Sequence, residues 1–226
     1  MRKYLRAISI LFLLTFSVVI NAQQQNNVIN VPRINTAVSV DVHNPNQWKN
    51  AKKVTTSDGS EILFQYDGKF LYVGFIGNFE AWGHLYLKSR NEVNVFHVTN
   101  AMGKVIYKLD SYDQWQPDRR FNWKMRDNDL KKYEKRNADL LLEKEGWIAN
   151  YRKTPTSHGV IFKIDIKNYD KNNIYLAMVY GLRASTFLGF PADLKDDTIN
   201  PDMFTGYNPA DCKFNYKFWV LLKFAE

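Results

Sequence analysis

Residues 60–110 read SEILFQYDGKFLYVGFIGNFEAWGHLYLKSRNEVNVFHVTNAMGKVIYKLD, with apolar and polar side chains alternating in segment after segment. A period of two is that of a strand with one buried face, so the stretch predicts a sheet, and its turn signals predict antiparallel pairing. Asp67-Gly68 lies between two such runs, and a two-residue Asp-Gly loop favours the type I′ turn, whose twist matches the strands it joins. In that register Tyr66 faces Lys69, Phe64 faces Leu71 and Ile62 faces Val73, which lines one face with large apolar side chains and leaves Phe75 just beyond. Such a face requires a second layer. The expected fold is therefore mainly β, an antiparallel β-sandwich with jelly-roll or immunoglobulin-like layering and one peripheral helix.

At the start of the chain, residues 1–22 (MRKYLRAISILFLLTFSVVINA) combine basic Arg2, Lys3 and Arg6 with an apolar run from Ile8 to Ile20 and small Ala22 before Gln23. This is the composition of a signal peptide. The run is shorter than the roughly 20 residues a spanning helix needs, and no later stretch replaces it, so residues 23–226 are expected to form a single exported domain, periplasmic or extracellular, without a transmembrane segment. Losing the leader takes three of the 31 basic residues and none of the 23 acidic ones, which lowers the net charge from +8 to +5. That excess is spread along the chain, and no Lys/Arg block with interleaved aromatics points to nucleic acid. Cys212 is the one cysteine; it has no partner for an internal disulfide and reads as a small semi-buried hydrophobe.

Along the chain, residues 23–27 (QQQNN) are polar, residues 28–33 read as an edge strand interrupted by Pro32, and residues 37–42 alternate at strand period before the turn chemistry of HNPN at 43–46. Trp48 and Ala51 sit on a short helical turn, with Trp48 as an apolar plug under one end of the sandwich. Residues 77–83 (GNFEAWG) form a glycine-bounded loop carrying Phe79, Glu80 and Trp82. Strands are expected at 84–90 and 93–99 around Asn91, then at 104–110, 147–152, 159–166, 174–180 and 216–224. Residues 111–126 (SYDQWQPDRRFNWKMR) are too polar for a central strand and read as mostly loop. The helix is expected at 128–145, capped by Asp127 or Asn128, with Leu130, Tyr133, Asn137, Leu140 and Leu141 on one stripe and Gly146 ending it. Residues 183–215, rich in Pro, Gly and Asp, read as a long excursion.

Several of these pieces together are similar to one known pattern. They are Val40-Asp41 followed by Trp48 and Ala51 (W-x-x-A), Asp67-Gly68 with Leu71-Tyr72-Val73-Gly74-Phe75, Glu145-Gly146-Trp147 with Ala149, the strand from Val160 to Ile166, and Phe218-Trp219. The chain resembles secreted sandwich domains related to family 9 carbohydrate-binding modules and the wider DOMON-like group. The resemblance implies two antiparallel sheets packed face to face, with aromatic side chains near the loops or the concave face holding sugar rings. The helix and the long excursion exceed a minimal module of that kind.

A sugar presents an apolar C–H face and a rim of hydroxyls, so its site needs an aromatic plate beside planar polar groups. Trp82, Trp115 and Trp123 lie in polar or glycine-flanked segments, with Glu80, Asp113, Gln116, Asp118 and Arg119 nearby. The candidate ligand-binding set is accordingly Trp82, Trp115, Trp123, Glu80 and Arg119, each tryptophan having a loop-anchoring role as its alternative; Trp147 and Trp219 are expected in the core. No cofactor is expected. Calcium is the one cation the acid-rich DLKDDTINPD would suit, although its spacing does not match a calcium loop. His43, His84, His97 and His158 show no zinc-binding spacing, His97 with Met102 is the only close His/Met pair for a haem, and neither G-x-S-x-G nor H-E-x-x-H is present. The reading is a non-catalytic domain that binds a carbohydrate or similar polar ligand. Its alternatives are an envelope structural or interaction protein, a haem carrier, or a glycoside-processing domain.

Overall fold

The computed structural model describes residues 28–39, 44–77, 83–98, 101–124, 134–153, 158–183, 186–191 and 214–226. Its central hairpin is β3 (Glu61–Tyr66) with β4 (Phe70–Gly77), and its register is two residues later than the Asp-Gly reading expects: Tyr66 faces Leu71, Phe64 faces Val73 and Ile62 faces Phe75. Asp67 is the cause. Its Oδ1 accepts the Lys69 and Phe70 amides at 3.0 and 2.7 Å while Oδ2 accepts the Tyr72 hydroxyl at 2.6 Å. Asp67 is thereby held before the loop, which becomes Gly68 (φ 95°) and Lys69, with glycine at the first central position as in a type II′ turn. A slip of two residues keeps every side chain on its expected face, so Ile62, Phe64, Tyr66, Leu71, Val73 and Phe75 all enter the core.

The hairpin belongs to a five-stranded antiparallel sheet that also contains β2 (Lys52–Thr55), β9 (Trp147–Lys153) and β10 (His158–Asp165), in the order β2-β3-β4-β10-β9. The second sheet has eight strands. It contains β1 (Val28–Val31), β5 (Gly83–Ser89), β6 (Glu92–Val98), β7 (Ala101–Leu109), β8 (Trp115–Lys124), β11 (Ile174–Arg183), β12 (Thr186–Phe190) and β13 (Val220–Phe224). The order is β1-β13-β11-β5-β6-β7-β8, with β12 paired to β11. Among the described strands every pairing is antiparallel except that of β1 with β13 at the sheet edge, which is parallel, and an isolated parallel bridge joins Arg33 to Tyr66. The expected mainly-β sandwich is the observed architecture.

Three readings are corrected. Residues 111–126 are not mostly loop, because Trp115–Lys124 pairs along β7 as an edge strand, where polar side chains are tolerated on the unpaired side. Of the helix expected at 128–145, the described part is α1 (Glu134–Glu145), and the expected cap at 127–128, Leu130 and Tyr133 lie outside the described residues. Within it, Leu140 is 54% exposed while Leu141 and Leu142 pack against the core, so the buried stripe is set one residue later than expected. Gly146 (φ 72°) ends α1, its amide donating to the Leu142 carbonyl at 3.0 Å. Residues 37–39 are not strand, and residues 1–27, 40–43 and 78–82 lie outside the described residues.

The two sheets meet through alternate side chains, and ring pairs join one sheet to the other: Phe75–Tyr180 at 4.3 Å, Phe64–Phe190 at 6.2 Å, Phe96–Trp147 at 5.1 Å and Tyr66–Phe224 at 5.0 Å between centroids. A polar tie accompanies them at one end. Asp58 Oδ1 accepts the Tyr180 hydroxyl at 2.9 Å and the Thr56 hydroxyl at 2.6 Å, and Oδ2 accepts from Ser60 at 2.6 Å. Burial pushes the Asp58 carboxyl up, but these hydrogen bonds outweigh it and hold it below its ordinary value.

Lys104 is the exception in this interior. It is 8% exposed, its Nζ lies 5.3 Å from the Phe96 ring centroid, and burial, aided by nearby Arg119, pushes the ammonium down to about 8 against the pull of Glu145 and Glu92.

Two stability measurements test this account. Tyr180→Phe is expected to lower the unfolding free energy by about 1 kcal/mol, the value of one hydrogen bond to a carboxylate partly compensated by its remaining donors. Lys104→Met should raise stability at pH 7 by about 1–3 kcal/mol. Because the folded-state value of Lys104 is depressed, the unfolded chain binds more protons between pH 8 and 10.5, so the wild type should gain stability across that window. The variant should lack that gain, as read by urea unfolding at pH 7 and 10.

Candidate functional site

Each sheet has an apolar outer face as well as an inner one, and each outer face is covered by chain that is not part of either sheet. On the five-stranded sheet Leu63, Tyr72 and Ile161 face outward and are covered by Ile34, Val38 and Trp48 from residues 33–51. This cover is tied down at both ends. The Ile34 amide donates to the Tyr66 carbonyl at 2.8 Å, and the Gln65 side-chain amide donates to the Gln47 main-chain carbonyl at 2.9 Å. Asn44 caps a 3-10 turn, Pro45–Trp48, by accepting the Asn46 amide at 3.2 Å, and the turn drives Trp48 into the sheet. Gly74 makes the room: a Cβ there would stand 2.9 Å from a Trp48 ring carbon. Trp48 is the apolar plug expected, but it sits on the outer face of the five-stranded sheet and not under an end of the sandwich.

Between the two arms of this cover lies a groove of about 280 Å³ lined by Arg33, Asn35, Asn46, Gln47 and Asn50 beside Ala37 and the flanks of Ile34 and Val38. Arg33, Asn35, Asn46 and Asn50 are exposed. Gln47 is oriented by Ser39, whose hydroxyl donates to its Oε1 at 2.8 Å. The polar lining is thus amides, one guanidinium and the Thr36 hydroxyl. Each amide carries both a donor and an acceptor in one plane, and the guanidinium carries a fork of donors, which is the complement of a row of hydroxyls. Among the described residues the lining holds no carboxylate, imidazole or thiol.

The outer face of the eight-stranded sheet is aromatic. Tyr86, Tyr107, Trp115, Phe214 and Trp219 pack there, with Phe214 5.1 Å from Tyr107 and 5.7 Å from Trp115, both edge-on. At one side Lys88 lies 4.1 Å from the Tyr216 ring and 5.4 Å from Tyr175. At the other, His84 and His97 stand directly opposite each other with ring centroids 4.5 Å apart. Burial, and then the neighbouring His97, hold His84 well below the ordinary imidazole range, and burial pushes His97 down to about 4. Both rings are neutral at pH 7.

The expected site residues fall as follows. Glu80 and Trp82 lie outside the described residues. Trp115 is 6% exposed, a buried ring consistent with its loop-anchoring alternative. Trp123 lies on β8 opposite Met102. Arg119 reaches α1, where its Nη2 pairs with Glu145 Oε2 at 3.3 Å. Trp115 and Arg119 are therefore not brought to one place: Trp115 packs into the outer aromatic layer and Arg119 turns to the helix. Trp147 and Trp219 are core, as expected. His97 and Met102 fall on opposite faces of their sheet, His97 outward and Met102 in the inner core, so they do not form an axial pair. Among the described residues no three His, Cys, Asp or Glu side chains converge; Asp193, Asp196, Asp197, Asp202, Cys212 and His43 lie outside them.

The groove residues and the histidine pair were both missed in the sequence reading. The pair was recoverable: a hairpin turning on Arg90 and Asn91 places residue 84 opposite 97 by counting back from the turn. The groove was not, since HNPN and the asparagines around it read as ordinary turn chemistry.

No protein-family profile matches the sequence, and no curated protein matches it. In a search of solved structures the chain is similar to a family 9 carbohydrate-binding module from Caldicellulosiruptor kristjanssonii in complex with glucose (11% identity, TM-score 0.43, covering 87% of this chain and 95% of that one). It is similar to the same organism's module in complex with cellotriose, with the same identity and TM-score over 87% and 92% of the two chains. It is also similar to a carbohydrate-binding protein candidate from Bacteroides uniformis (9% identity, TM-score 0.49, covering 88% and 99%).

Gly74→Ala is expected to force Trp48 from its seat, costing about 1–3 kcal/mol as an overpacked contact and loosening the groove's cover. Urea unfolding together with the Trp48 contribution to fluorescence, obtained by difference from Trp48→Phe, measures both effects; an unchanged midpoint would refute the seating described.

Proposed function

We propose that the protein is a non-catalytic domain that binds a carbohydrate or a similarly hydroxylated ligand in the groove between residues 33–38 and 46–50. The observation that carries this reading is the lining itself: Arg33, Asn35, Asn46, Gln47 and Asn50 present planar hydrogen-bonding groups around a space of about 280 Å³. Ala37, Ile34 and Val38 supply apolar contact for the C–H face of a sugar ring. Hydroxyls that leave water must find partners of matching direction, and amides supply donor and acceptor together. The leader-like residues 1–22 support an exported setting for this binding, and among the described residues no helix is long and apolar enough to cross a membrane.

The test is a glycan array and affinity electrophoresis on the untagged protein, followed by titration of the best ligand. Asn35→Ala and Asn50→Ala should each weaken binding by about 3–10-fold, one hydrogen bond apiece, and Arg33→Ala by at least as much, with unfolding midpoints unchanged because all three side chains are exposed. Full affinity in the triple variant, or no binding to any polysaccharide by the wild type, would overturn the proposal.

A further inference from the structure

The histidine pair lies apart from the groove, on the other sheet, and plays no part in the binding reading. Across that outer face one row runs Val179, His84, His97, Gly103 in register through β11, β5, β6 and β7. Gly103, itself buried, brings no side chain against His97, which is half-buried. Tyr86 is the aromatic neighbour of His84, at 6.3 Å between centroids. His97 Nδ1 is buried without a hydrogen-bond partner. An unpartnered buried nitrogen is costly and calls for an explanation, and here it sits beside a second imidazole. Two imidazoles bound to one ion through nitrogen–metal bonds of about 2.0–2.1 Å, at angles of about 90–110°, have ring centroids about 4.5–5 Å apart. The observed separation is 4.5 Å, with the rings tilted by 39°.

We propose that His84 and His97 form a two-imidazole site for a divalent transition-metal ion. Neutral imidazole suits copper, nickel and zinc, whereas calcium and magnesium require oxygen donors. Two protein ligands leave further coordination positions for exogenous donors, which makes the site one for an exchangeable ion. With nitrogen donors alone, affinity should follow the order copper above nickel and zinc.

The untagged protein is titrated with CuCl2, NiCl2 and ZnCl2 by calorimetry, and its thermal midpoint is followed with each. One equivalent is expected to bind with an upward shift in midpoint. His84→Gln and His97→Gln should each weaken binding by about tenfold or more, while His158→Gln, which removes a histidine paired instead with Tyr151, should leave it unchanged. Should either variant fail to fold, long-range proton–nitrogen spectra of the wild type decide the matter: zinc should move one ring nitrogen of His84 and one of His97. No binding at about 1 mM metal, undiminished binding in the double variant, or shifts confined to the other histidines would overturn the proposal.

Discussion

The structure depends on contact between aromatic rings of opposite sheets. Phe75 against Tyr180, Phe64 against Phe190, Phe96 against Trp147 and Tyr66 against Phe224 each have one member in either layer. Each ring removes a large apolar area from water, and tilted or edge-on pairs add about 0.5–1.5 kcal/mol beyond that area. Neither sheet could exist without the other, because an isolated layer would expose these rings together with the aliphatic side chains between them. Strand parity follows from the same demand, since any odd slip would carry a whole row of rings out of the space between the sheets and onto the outer face.

This parity explains how much could be read in advance. The alternation at 60–110 identifies strands and their buried face correctly even though the β3–β4 register is displaced by two, because an even displacement leaves the pattern of faces intact. The displacement arises from the Asp67 side chain, which takes two amides and a phenol, and no propensity for Asp-Gly contains that information. Strand β8 escaped because its pattern is polar, as an edge strand's can be, and it is recognisable only from its pairing with β7. The helix stripe was misplaced because Leu140 and Leu141 are adjacent, and which of them turns inward depends on the docking angle of α1 and not on its own period.

The candidate site was harder to read for a related reason. A tryptophan in a polar segment announces an aromatic plate, yet Trp115 is buried because Phe214, about a hundred residues away, packs against it. The groove arises between two short stretches, 33–38 and 46–50, laid across a sheet. Its asparagines look in sequence like turn formers, and the neighbouring Asn44 is a helix-turn cap. Recognition surfaces made by irregular chain leave no periodic signature, whereas the rigid sheet beneath them does.

The parallel pairing of β1 with β13 has a mechanical meaning. Strand β1 runs alongside β13 in the same direction, with Val28 opposite Leu221 and Val31 opposite Phe224, and the Ala225 amide extends the ladder by donating to the Val31 carbonyl. Tension applied before Val28 and after Phe224 would draw these neighbours past one another along their length. The rungs between them would then bear load together instead of parting in turn, so the seam should resist pulling along the chain better than an antiparallel pair peeled from one end.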